Sequence, residues 1–96
     1  MIHEMKLWHD SFIKIKEKTK TIEMRLFDEK RSLLSTGDTI LFTDTSDHER
    51  MICQVINLYC YPSFEELYQH HNKVTIGYTE DENADPNDMW RIILLK

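Results

Sequence analysis

Glycine and proline are scarce in this chain, with two of each among 96 residues. Little of it therefore reads as linker, and the length suits one domain over residues 1–96 with one modest core. Long apolar runs are missing as well. The longest aliphatic stretch, Ile92 to Leu95, is far too short to cross a bilayer, so no membrane partner is expected. The opening Met1-Ile2-His3-Glu4-Met5-Lys6 carries no apolar stretch followed by small residues, so no secretory signal is expected and a cytoplasmic protein is the default. Cysteine is limited to Cys53 and Cys60. On one continuous strand these would sit ~23 Å apart on opposite faces, whereas a disulfide needs Cα atoms within about 7 Å. Reduced thiols are expected, and two cysteines without a spaced histidine set give no zinc signal.

Excess positive charge is lacking too. The net charge is −5, which by itself argues against a long nucleic-acid duplex as partner. The distribution says more. From Lys14 to Arg31 seven basic residues face four acidic ones, whereas from Ser32 onward four basic residues face eleven acidic ones. A cationic segment inside an acidic chain suits a small anionic ligand or a short RNA.

What is present is a mixture of two periodicities. Met5 to Trp8 reads as a short opening strand. Asp10 or Ser11 can cap a helix over Phe12 to Lys18, with Trp8, Phe12 and Ile15 on its apolar side. Thr21-Ile22-Glu23-Met24-Arg25-Leu26 then alternates strictly, with Ile22, Met24 and Leu26 facing one way and Glu23 and Arg25 the other. A short helical turn over Asp28 to Leu34, a turn at Thr36-Gly37-Asp38, a strand from Thr39 to Thr43, a reversal at Asp44 to Asp47 and a strand from Arg50 to Tyr59 follow. Ser63-Phe64-Glu65-Glu66 fits a capping box for a second helix with Phe64, Leu67, Tyr68 and His71 on one face. An acidic loop from Glu80 to Asp88 leads to a last strand, Arg91 to Leu95. Adjacent strands interrupted by helices indicate an α+β fold: a small, mostly antiparallel β-barrel with two or three short helices.

The chemistry concentrates in Lys18-Thr19-Lys20-Thr21-Ile22-Glu23-Met24-Arg25. Glu23 and Arg25 share a strand face, with Lys20 beside them at the helix–strand junction. Two cations around a carboxylate can hold an anionic or amide-bearing ligand, Arg25 with a planar fork and Lys20 with a point charge. Equally, Glu23 and Arg25 could form ladder pairs with a neighbouring strand. Tyr59, Tyr61, Tyr78 and Trp8 could stack a base or simply pack. His70 and His71 are adjacent and diverge on a helix, so no metal and no cofactor is expected.

This segment resembles the signature of ASCH domains, Gly-x-Lys-x-x-Glu-x-Arg: Lys20, Glu23 and Arg25 match, and Lys18 stands where the signature has Gly. Ser11-Phe12, Arg25-Leu26, Asp28, Lys30-Arg31, Gly37-Asp38, Phe64-Glu65-Glu66-Leu67 and Ile76-Gly77-Tyr78 are similar to the small bacterial members, so the likeness runs from about Met5 to Met89. The resemblance implies a PUA-like barrel whose cleft, with Lys20, Glu23, Arg25 and Tyr78, binds RNA or a small nucleoside or nucleotide. One family member, a bacterial N4-acetylcytidine amidohydrolase, is proposed to use Lys, Thr and Glu. Lys20 matches its lysine, Glu23 occupies the place of its threonine, and Glu80 and Glu82 are the nearest counterparts of its glutamate. Lys20 and Glu23 are thus the candidates for catalysis if this chain is a hydrolase of a modified nucleoside or of RNA. A non-catalytic binding module and an interaction module without a nucleic-acid ligand are the other readings. Family members continue with a helix and strand past the position of Met89, so Arg91 to Leu95 would have to close the barrel, or leave an edge open.

Overall fold

A computed structural model describes residues 1–25, 29 and 31–86. Its first strand, β1 (Ile2–Leu7), alternates as its sequence demands: His3, Met5 and Leu7 turn inward while Ile2, Glu4 and Lys6 stay exposed. Helix α1 (His9–Lys16) begins earlier than the sequence suggests. Its N-cap is Trp8, which gives no side-chain cap; Trp8 is exposed, and the apolar side of the helix centres on the fully buried Phe12. Asp10 sits in the first turn and pairs with Lys14 at 3.0 Å. A 3-10 turn (Arg31–Leu33) precedes β2 (Thr39–Asp44), and a hairpin leads to β3 (Arg50–Gln54). Helix α2 (Phe64–His70) opens as the capping box requires, with Ser63 Oγ accepting from the Glu66 amide at 3.2 Å.

The sheet order is β1-β2-β3. β1 lies parallel to β2, with Ile2 opposite Thr39 and Leu7 opposite Asp44, and β2 lies antiparallel to β3, with Thr39 opposite Gln54 and Thr43 opposite Arg50. The expected mostly antiparallel barrel is therefore not what forms: the described residues make an open, mixed three-stranded sheet with two α-helices. The reasons are local and visible. α1 carries the chain back over the sheet, and such a crossover is what a parallel pair needs. The segment from Thr21 to Arg25 adds no strand, because the amides of Thr21 and Ile22 both bond to the one carbonyl of Thr75. β3 stops at Gln54 rather than running on to Tyr59. Closure demands an unbroken ring of strand pairs, which three short strands do not supply. The expected closing strand from Arg91 to Leu95 falls outside the described residues, as do Leu26 to Asp28 and Lys30.

Among the described residues two apolar clusters hold the chain together. One packs Met5, Leu7, Phe12, Leu34, Ile40, Phe42 and Val55 between the inner sheet face and α1. The other gathers Met24, Leu67 and Ile76 beneath α2, with Tyr68 and Tyr78 against them. The segment 18–25 passes from the end of α1 toward the second cluster, and the functional candidates sit on it.

The end of α1 has an unusual residue. The amide of Lys18 bonds to the Ile15 carbonyl at 3.0 Å and that of Thr19 to the Lys14 carbonyl at 3.0 Å, the paired bonds of a Schellman cap. The left-handed position of that cap, where glycine is usual, is held by Lys18 at φ +68°. A Cβ there costs roughly 1–2 kcal/mol.

Candidate functional site

Two cationic side chains converge on a carboxylate from the same short segment. Lys20 Nζ lies 2.8 Å from Glu23 Oε1, and Arg25 Nε lies 2.6 Å from Glu23 Oε2. Each oxygen of Glu23 therefore has its own cation. The side chains are 7% (Lys20), 13% (Glu23) and 15% (Arg25) exposed, so the triad is largely withdrawn from solvent. Among buried charges, removing one partner strands the others at a cost of several kcal/mol, which makes the three a unit.

Remote parts of the chain fix this unit. Lys20 Nζ also reaches Ser11 Oγ on α1 at 3.4 Å, and Arg25 Nη2 donates to the carbonyl of Lys6 on β1. Gly77 closes over the lysine stem. A Cβ built on Gly77 would meet Lys20 Cδ at 3.2 Å and Nζ at 3.4 Å, and its φ is +117°. Glycine is needed here twice over, for the close approach and for the backbone angle. Lys14 ties down the same loop by donating to the Gly77 carbonyl at 2.8 Å.

Lys20 and Glu23 line one wall of a cavity of about 630 Å³, a size that suits a small ligand. Ile15, Leu34, Ile40, Phe42 and Val55 supply apolar wall; Lys18, Thr21, Gln54 and Asn57 add polar groups, and the partly exposed Tyr59 completes the lining. Cys53 also lines it, and burial pushes its thiol pKa up, which keeps it a neutral, poorly nucleophilic group. Both cysteines are free.

Not every residue singled out from the sequence reaches this wall. Arg25 meets the site through the far oxygen of Glu23. Tyr78 packs in the second cluster, its hydroxyl 2.9 Å from that of Tyr68 and 3.2 Å from the Asp85 carbonyl. Glu82 accepts from the amide of Thr79 at 2.8 Å, a bond that lowers its carboxyl pKa, and Lys73 binds the carbonyls of Glu80 and Glu82. Those two glutamates organise their own turn and do not line the cavity. The cavity's apolar wall was not singled out from the sequence; the alternation that buries Ile40 and Phe42 along β2 is the signal that could have found it.

A second polar group forms at the other end of α1. The fully buried Asp44 accepts from the amide and the hydroxyl of Ser46, each at 2.8 Å, and sits 2.6 Å from His9 Nδ1. Burial pushes the Asp44 pKa up, but the bonds from Ser46 and His9 outweigh it and bring it down to about 2. His9 is raised in turn, chiefly by its bond to Asp44. With Asp47 these groups could approach a metal ion, their ligand atoms lying within 4.8 Å of one another. Both oxygens of Asp44 are already engaged, Oδ1 by Ser46 of the β2–β3 turn and Oδ2 by His9 of α1.

The ASCH domain profile matches residues 5–93, nearly the whole chain. The chain belongs to the ASCH domain family. This ASCH domain is also similar to a solved structure, the crystal structure of hypothetical protein PH0355, at 27% identity and a TM-score of 0.74, covering 92% of this chain and 75% of that one. No curated protein matches it significantly. The family match spans the Lys20, Glu23 and Arg25 segment, both apolar clusters and the cavity wall. Among the described residues of this ASCH domain no helix is long and apolar enough to cross a membrane.

Proposed function

We propose that this ASCH domain binds a nucleoside, a nucleotide or a short single-stranded RNA in the cleft walled by Lys20 and Glu23. The observation that carries this reading is the convergence of a buried Lys20–Glu23–Arg25 unit with an apolar cavity of about 630 Å³. A base offers a flat apolar face and a polar edge, and the cavity offers Phe42 and Tyr59 for the first and Lys20, Glu23, Gln54 and Asn57 for the second. The excess of cations in the Lys14 to Arg31 segment supports the anionic part of such a ligand. Arg25 contributes by holding Glu23 in position.

Titrating the protein with nucleosides, nucleotides and short RNAs, while following tyrosine fluorescence or heat, tests the proposal. Binding is expected, and RNA binding should weaken with added salt. Arg25→Ala should reduce it more than Arg50→Ala, since Arg50 stands on the outer sheet face beside Glu4 at 3.5 Å. Equal losses, or an RNA interaction indifferent to salt, would count against this cleft.

A further inference from the structure

Within the segment from 14 to 25 the cations are not equivalent. Lys14 is taken by Asp10 and the Gly77 carbonyl, Lys16 by Glu49, and Lys20 and Arg25 by the two oxygens of Glu23. Lys18 is different. Its side chain is exposed, it lines the cavity, and no described residue pairs with its ammonium. It also occupies the left-handed position of the helix cap at φ +68°, a conformation that glycine adopts without strain and lysine does not. A strained backbone on the wall of a binding cavity is a reason to ask what its side chain does. Nothing among the described residues uses this one.

We propose that Lys18 reads a phosphate, so that the cleft prefers a nucleotide to the corresponding bare nucleoside. This rests on the ligand reading above and narrows it to a phosphorylated form. The inner wall, formed by Ile15, Leu34, Ile40, Phe42 and Val55, suits the base but has no place for a charged group. The charges of Lys20 and Arg25 already face a shared carboxylate, which repels a second anion. Among the described residues, Lys18 is the cation of the cavity wall that no carboxylate engages, and its exposure leaves it free to meet a phosphate whose base lies inside. A flexible ammonium is a compact point charge suited to phosphate oxygens.

Calorimetric titrations of cytidine, adenosine and their 5′-monophosphates, at low salt, test this on the wild type and on Lys18→Gln, Lys18→Arg and Lys18→Gly. The wild type should bind each monophosphate about 10-fold more tightly than its nucleoside, the scale of one charge-assisted contact. Lys18→Gln and Lys18→Gly should erase that preference by lowering monophosphate affinity about 10-fold relative to nucleoside affinity, and Lys18→Arg should retain it. Nucleoside binding without a phosphate preference, or a preference that survives in Lys18→Gln, overturns the role of Lys18 and leaves the cleft reading standing. Equal losses for nucleoside and nucleotide in Lys18→Gln would mean that Lys18 only shapes the cavity, and overturn it too. Wild-type protein that binds none of the four overturns both.

Discussion

Replacing Lys18 with glycine should make the protein more stable, although a helix-ending lysine is being lost. Lys18 sits at φ +68° inside a Schellman cap whose two hydrogen bonds, both 3.0 Å, involve only backbone atoms and survive the change. Removing the Cβ relieves roughly 1–2 kcal/mol of left-handed strain. Against this, glycine loses about 0.5–1 kcal/mol more conformational freedom on folding, and a few tenths of a kcal/mol go with the cation at the negative end of the helix dipole. The expected net gain is about 0.5 kcal/mol. For a chain of this size 1 kcal/mol moves Tm by roughly 4–8 °C, so the gain corresponds to about 2–4 °C. Thermal melts by circular dichroism read it directly, and urea unfolding should show a higher midpoint at unchanged slope. Lys18→Ala supplies the control: it loses the same charge but keeps the strain, and should not be stabilised. A glycine variant no more stable than the alanine variant would refute the reasoning, since the two differ by the strain relieved, roughly 1–2 kcal/mol, less the smaller entropic cost of glycine.

Gly77→Ala should act in the opposite sense, because its Cβ would press on Lys20 at 3.2 Å from a backbone at φ +117°; a loss of about 1–3 kcal/mol is expected in urea unfolding, with weakened ligand binding. Stability should fall as acid protonates Asp44: its folded pKa, about 2, lies below the ordinary value of 3.8, so its contribution is present above pH 4 and disappears as pH drops through 2. Asp44→Asn should flatten that acid limb, and a limb unchanged in the variant would assign it to other carboxylates. Turnover of N4-acetylcytidine should be at least ~100-fold below that of family members with threonine at the place of Glu23, the scale of one well-placed acid–base group. Glu23 is clamped by two cations and Lys20 is bound to it, so neither is free to activate a nucleophile. Chromatography of the free nucleoside decides this, and comparable turnover that vanishes in Glu23→Gln would make the protein an enzyme.

Local pattern alone was enough for an opening strand before α1, for the strand that begins at Thr39, for the Ser63 cap of α2, and for the placing of Lys20, Glu23 and Arg25 within one short stretch. These are local properties, decided by where successive side chains point and which oxygens meet nearby amides. The family was legible too, in the ordered residues from Met5 to Met89. Which strand neighbours which was not legible. The parallel β1–β2 pair, and the open sheet that the described residues make, depend on how α1 returns the chain and on Thr75 taking the two amides that would otherwise begin another ladder. The burial of Lys20 likewise depends on Gly77, far along the chain, having no Cβ to keep the backbone away. The left-handed Lys18 carries no signal in its own residue type, since its conformation is imposed by the two cap bonds that end α1. Side-chain alternation chooses a face, but long-range backbone hydrogen bonds and close packing choose its partner, and those choices belong to the folded chain.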